Sequence, residues 1–158
     1  VAISHAYGLG DVPEPLQRRA AESLAQAGVA IMTNAPGARP LPPVALLREA
    51  GVTVFGGCDN IRDSWWPWGD GDMLGRANMI GYRSGFAVDA QLAACFDMVT
   101  MGGAAALVLS DYGFRPGAPA DFVTLDARHT AEAVAARPGG RQVWKHGRKV
   151  AENGAVIV

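Results

Sequence analysis

The chain has 158 residues, 49% of them apolar, and sets 14 basic against 15 acidic side chains for a formal net charge of −1. That length suits one domain with a packed core or two small pieces, and the composition is too hydrophobic and too weakly charged for general disorder. Near-neutral charge gives no electrostatic ground for nucleic acid or an anionic membrane as partner, and the uncharged stretch Met98–Ser110 is too short to span a bilayer.

The first residues, Val1-Ala2-Ile3-Ser4-His5, already read as a buried strand, which suggests a piece of a longer protein. The runs Leu24–Met32 and Leu47–Phe55 then match each other. Each reads as the end of a helix, a Gly suited to the left-handed C-terminal position, and a short apolar strand. The predicted order is strand 1–5, helix 15–27, strand 29–33, helix 43–50 and strand 52–57. Leu16, Ala20, Leu24 and Ala27 share one face of the first helix, and Val44, Leu47 and Ala50 point inward from the second. Strands alternating with helices imply parallel pairing with crossovers, either as three-eighths of a (β/α)₈ barrel or as part of an open doubly wound sheet.

An aromatic loop, Ile61–Asp72, follows. Next come a helix with Met73, Leu74, Ala77 and Ile80 on one face, a helix capped by Asp89 with Leu92, Phe96 and Val99 on one face, and a small-residue turn at Ala104–Leu109. From about residue 112 the texture changes. Short β segments at Phe122–Leu125, Arg141–Lys145, Lys149–Ala151 and Ala155–Val158 are separated by turns at His146-Gly147 and Asn153-Gly154, with a short helix near Thr130–Ala136. The expected organisation is a first unit over 1–112 and a small β-rich module over 113–158.

In α/β sheets and barrels the active site collects at the carboxyl ends of the parallel strands. Those ends carry His5, Asn34 and Asp59, which are expected on one rim. Each also has a plainer role: a hydrogen-bonded structural His, a turn Asn ahead of Ala35-Pro36-Gly37, and a loop-capping Asp. Three Trp within Trp65-Trp66-Pro67-Trp68 read as a hydrophobic plug or as a flat wall for a planar heterocycle. Gly69-Asp70-Gly71-Asp72 lacks the spacing of a calcium loop, and Gly8-Leu9-Gly10 lacks the third Gly of a dinucleotide fingerprint. Cys58 and Cys95 make no disulfide framework and no zinc spacing, so a reducing cytoplasm is the default expectation.

Val1–Ala6 (VAISHA), the helix–Gly–strand repeat, Val52–Asn60 (VTVFGGCDN), Asp63–Leu74 (DSWWPWGDGDML) and Gly117–Leu125 (GAPADFVTL) together resemble the cytosine deaminase-like branch of the amidohydrolase superfamily. The resemblance covers nearly the whole chain, as the carboxyl-terminal portion of such an enzyme. It implies the last three β/α units of a TIM barrel followed by a β-rich segment of the second domain, with a divalent metal, zinc or iron, at the barrel mouth. On this resemblance Asp59 is the metal ligand and proton shuttle. His5 helps hold the substrate and stabilise the transition state, Trp65 borders the pocket, and Asn60 contacts the substrate. The family's H-x-H pair, a further metal-binding His and the H-x-x-E acid have no counterpart. The only histidines are 5, 129 and 146, whereas a catalytic zinc takes three protein ligands plus water.

The expected function is therefore hydrolysis of a C–N bond on an amino-heterocycle, by an enzyme of which this chain is an incomplete part. The competing reading is a non-catalytic α/β module for assembly or ligand binding. Expected partners are the small-molecule substrate, the missing amino-terminal part and, through unpaired strand edges, further copies in a homo-oligomer.

Overall fold

The computed structural model describes residues 1–157. In chain order the elements are β1 (Ala2–Ser4), α1 (Gly8–Asp11), α2 (Glu14–Gln26), β2 (Ala30–Thr33), α3 (Val44–Glu49), β3 (Val54–Gly56), α4 (Met73–Arg83), α5 (Asp89–Met98) and α6 (Met101–Ala106). There follow β4 (Phe122–Thr124), α7 (Thr130–Ala136), β5 (Gln142–Lys145), β6 (Arg148–Glu152) and β7 (Ala155–Val156). The α/β class expected from the sequence is the one observed.

β1, β2 and β3 pair in parallel and in sequential order, with Ile3 level with Ile31 and Ile31 level with Val54. Ile31 and Val54 are fully buried among Ala21, Leu47 and Ile80 of the covering helices. Alternation turns Met32 and Phe55 to the opposite face. The two repeated helix ends close identically. Gly28 and Gly51 take φ of 62° and 89°, and the following Val29 and Val52 donate back to Leu24 O and Leu47 O at 3.0 Å. This is the Schellman arrangement, which satisfies carbonyls that the helix leaves over.

Helix faces depart from the simple periodic reading in two places. In α2 the buried residue is Ala21, whereas Leu16 and Ala27 are exposed. In α5 the fully buried residues are Cys95 and Met98, with Leu92 and Phe96 only half-buried. Burial pushes the Cys95 thiol up to about 11, slightly opposed by Arg48, so it is an inert packing group. Nor does Asp89 cap α5: the Gln91 Oε1 accepts from Ala87 N at 2.9 Å and Val88 N at 3.3 Å. The unanticipated α1 rests on Gly10, where a Cβ would stand 2.5 Å from Leu41 O.

The second sheet is antiparallel in the order β4-β5-β6-β7. Its two tight turns place His146 and Gly147, then Asn153 and Gly154, at positive φ, the type I′ pattern that fits strand twist. Phe122 and Trp144 face each other across β4 and β5 with ring centroids 5.6 Å apart. The chain recrosses the division near residue 112 at α7, which packs on α4 and α5 and buries Ala133 and Val134 in the shared core. Asn78 Nδ2 donates to Val134 O at 2.9 Å.

One ion pair ties the two sheets' surroundings together. Asp72 caps α4 by accepting from Leu74 N at 3.0 Å and takes both arms of Arg141, at 2.6 and 3.1 Å. Burial raises the pKa of Asp72, but the Arg141 hydrogen bonds and charge outweigh it and hold the carboxyl below its ordinary value. A depressed carboxylate contributes stability above its unfolded pKa, and that contribution is lost as pH falls through the folded one. Arg141→Met is expected to cost about 1–2 kcal/mol near neutrality and to lower Tm by roughly 2–6 °C. Thermal melts across an acid series should show the gap between the two proteins closing as Asp72 protonates.

Candidate active site

All three parallel strands end in a backbone reversal. His5 and Ala6 follow β1 with φ of 68° and 48°, Ala35 follows β2 at 49°, and Asp59 follows β3 at 58°. None is a glycine, and left-handed φ in other residues is a strain that clusters at functional sites. The sheet's pairing continues into these corners: His5 N donates to Met32 O at 2.7 Å and Gly57 N to Thr33 O at 3.1 Å. The middle strand thus anchors both of its neighbours at the same level.

The side chains meet there. His5 Nε2 lies 3.4 Å from Asp59 Oδ2, and Asn34 Nδ2 donates to the same oxygen at 3.4 Å. Asp59 remains 38% exposed and His5 22% exposed by side chain, so the carboxylate is reachable from solvent. Asp59 Oδ1 makes no hydrogen bond among the described residues.

Two of the predicted residues stand apart from this cluster. Asn60 donates through Nδ2 to Asp63 Oδ2 at 2.6 Å, within its own loop. Trp65 is 82% exposed and Trp68 69% exposed, while Trp66 is half-buried. The loop that carries them is nonetheless tied down, because Asp63 Oδ1 accepts from Trp65 N at 2.9 Å and Trp66 N at 2.8 Å. The other histidines lie elsewhere: His129 Nδ1 caps α7 by accepting from Glu132 N at 3.3 Å, and His146 sits in the exposed β5–β6 turn. Cys58 packs its sulfur 3.4 Å from that of Met73.

Sequence reasoning missed Tyr7 and Arg76. The Tyr7 ring stacks on His5 with centroids 4.7 Å apart and planes within 20°. Its place two residues past a strand end was the available signal. Arg76 of α4 donates from Nη1 to Asn34 O at 2.7 Å, a contact between residues 42 apart that no local pattern announces.

A model of the amidohydrolase family matches residues 1–151. The chain belongs to the amidohydrolase family. Among curated relatives it is 30% identical to an N-isopropylammelide isopropyl amidohydrolase of Pseudomonas sp. (strain ADP), over 99% of this chain and 39% of that protein. Among solved structures, N-isopropylammelide isopropylaminohydrolase from Burkholderia multivorans matches with a TM-score of 0.94 and 46% identity, over 99% of this chain and 40% of that one. The 5-methylcytosine deaminase of Klebsiella pneumoniae, liganded with 5-fluorocytosine, matches with a TM-score of 0.82 and 26% identity, over 96% and 40%. The chain therefore spans about two-fifths of the length of the relatives it matches.

Burial first, and then the Asp59 charge, push the Tyr7 phenol above its ordinary value, with Arg39 opposing. Removing the negative charge in Asp59→Asn should lower the Tyr7 pKa, and Arg39→Met should raise it further. A pH titration followed by NMR of labelled tyrosine checks both. An unmoved midpoint in Asp59→Asn would mean that the phenol and the carboxylate do not sense each other.

Proposed function

We propose that the chain forms the last three β/α units of a TIM barrel and a strand-rich segment of the second domain in a longer hydrolase. That enzyme would split the bond between a heterocyclic ring carbon and an exocyclic nitrogen. The observation that carries this reading is the convergence of His5 and Asn34 on one oxygen of Asp59, at the strand ends of an amidohydrolase-family chain. Sequential parallel order suits a barrel, whose remaining strands would take the outer edges of β1 and β3.

Asp59 fits as one ligand of a divalent cation, being ionisable, part-exposed and free of hydrogen bonds at Oδ1. The described residues hold no group of three His, Cys, Asp or Glu side chains that could bind a metal, so further ligands would come from outside this chain. When bound, such a cation, zinc or iron, supplies water acidified enough to attack at neutral pH. Asp59 would accept a proton from the attacking water as the new C–O bond forms. It then passes the proton to the exocyclic nitrogen as the C–N bond breaks, and the oxo-heterocycle and free amine leave. His5 would hydrogen-bond the negative charge that develops on the atoms attached to the ring carbon as that carbon becomes tetrahedral. Trp65, with its ring faces open, borders the ring of the substrate, and Asn60 supports it by holding the loop through Asp63.

The higher identity to the N-isopropylammelide enzymes than to the 5-methylcytosine deaminase favours N-alkylamino-substituted heterocycles over cytosine-like rings. Free Cys58 and Cys95 suit a reducing cytoplasm. No helix of the described residues is long and apolar enough to cross a membrane.

Steady-state kinetics on N-isopropylammelide and cytosine, with metal analysis, test the reading in the enzyme that carries this chain. Asp59→Asn should lower kcat by about 10²–10⁴-fold, since its amide cannot take the water's proton. Trp65→Ala should raise KM about tenfold with metal content intact. Normal turnover in Asp59→Asn would end the assignment. The 158-residue chain by itself should lose zinc on dialysis against a chelator, and tight one-to-one retention would contradict the ligand count.

A further inference from the structure

We propose that Asn34 is the positioning residue that aims the Asp59 carboxylate, an inference that rests on the proton-transfer role given to Asp59 above. Asn34 is only 8% exposed, at the end of the middle strand. An Asn that merely makes a turn spends its side chain on neighbouring backbone. This one does not. The corner's local hydrogen bond comes instead from Thr33, whose Oγ1 accepts from Ala35 N at 3.1 Å. The backbone on either side of the amide is held from α4: Arg76 takes Asn34 O at 2.7 Å, and Arg83 takes Pro36 O. With its main chain fixed, Asn34 sends Nδ2 to Asp59 while its Oδ1 is buried without a hydrogen-bond partner among the described residues. The orientation of the amide is therefore set by the carboxylate, since the opposite flip would put two oxygens against each other.

The chemistry of the donor matters. An Arg or Lys in this place would neutralise Asp59 and reduce its basicity. A neutral amide directs the carboxylate without that penalty. Both contacts, from Asn34 and from His5, fall on Oδ2, which leaves Oδ1 without a hydrogen bond among the described residues. Arg76 reinforces this at one remove, through the carbonyl of Asn34 rather than by touching Asp59.

The test uses the enzyme that carries this chain, with Asn34→Leu and Asn34→Asp beside Asp59→Asn as control. Asn34→Leu keeps the branched shape at a larger volume and loses the donor. It should lower kcat about 10–100-fold and weaken zinc affinity, read by competition with a chelator, by a similar factor. KM should stay within about threefold, because the amide acts on the carboxylate and not on substrate binding. Asn34→Asp keeps the shape but sets an acceptor against Asp59, and it should lose at least as much kcat. A second carboxylate would disturb Asp59 whatever the native amide does, so the deciding readout in whichever Asn34 variant folds is the split between kcat and zinc affinity, which should fall, and KM, which should not. If Asp59→Asn is inactive while the folded Asn34 variants keep kcat and zinc affinity within about twofold, this inference alone is overturned. If Asp59→Asn turns over normally, the reading of Asp59 falls and this one with it.

Discussion

Parallel pairing sets Ser4 beside Met32 and Met32 beside Phe55, and a one-residue slip in either pairing would turn a neighbouring strand's side chains to the other face. His5 and Asp59 would then leave Asn34 behind. Strands of only three or four residues have few ladder hydrogen bonds with which to resist such a slip. What holds the register is packing: Ile31 and Val54 are wholly buried against Ala21, Leu47 and Ile80, and a slip would swap them for Met32 and Phe55. Losing the burial of one such side chain costs about 1.5–3 kcal/mol. The helical layer thereby sets the register of the site, which α4 also reaches directly through Arg76.

The strain at the strand ends needs the same kind of support. His5, Ala6, Ala35 and Asp59 each occupy left-handed φ without being glycine, at about 1–3 kcal/mol apiece. Such corners persist only where the surroundings allow nothing else. After β2 the surroundings are explicit, because Arg76 and Arg83 of α4 bind the carbonyls of Asn34, Pro36 and Arg39 in turn. After β1 the stacking of Tyr7 on His5 plays the corresponding part. A glycine at any of these corners would be more comfortable, but it would carry no side chain to the rim.

What was legible in the sequence was what is local. The repeated Ala-Gly-Val helix ends and the His-Gly and Asn-Gly turns are recognisable because the backbone conformation they need is encoded within four or five residues. His5, Asn34 and Asp59 were legible for a different reason, since position at a strand end restricts where a side chain can point. Contacts between distant segments were not legible. Gly10 looks like a loop residue until Leu41 O is found 2.5 Å from where its Cβ would be. Arg76 looks like a solvated helix cation until its partner 42 residues earlier is known. The face of α2 is not legible from hydropathy alone, since Leu16 has the hydropathy of a core residue and is 48% exposed. Three Trp in four positions signalled something unusual, but not that Trp65 would project from the surface.

That projection is intelligible from the loop's own chemistry. An aromatic loop kept in shape by burial would have to cover its rings, yet Trp65 and Trp68 remain open. Carboxylates give this loop its form instead. At its start Asp63 accepts from Asn60 and from the Trp65 and Trp66 amides, contacts that hold its carboxyl below the ordinary range, the Asn60 hydrogen bond foremost. At its end Asp72 caps α4 and grips Arg141. Ordering by hydrogen bonds at both ends settles the entropic cost of the loop in advance, so that later contacts with its rings need not. It also makes the order of the loop depend on two ionised aspartates, whose carboxylates accept from the backbone at Trp65, Trp66 and Leu74.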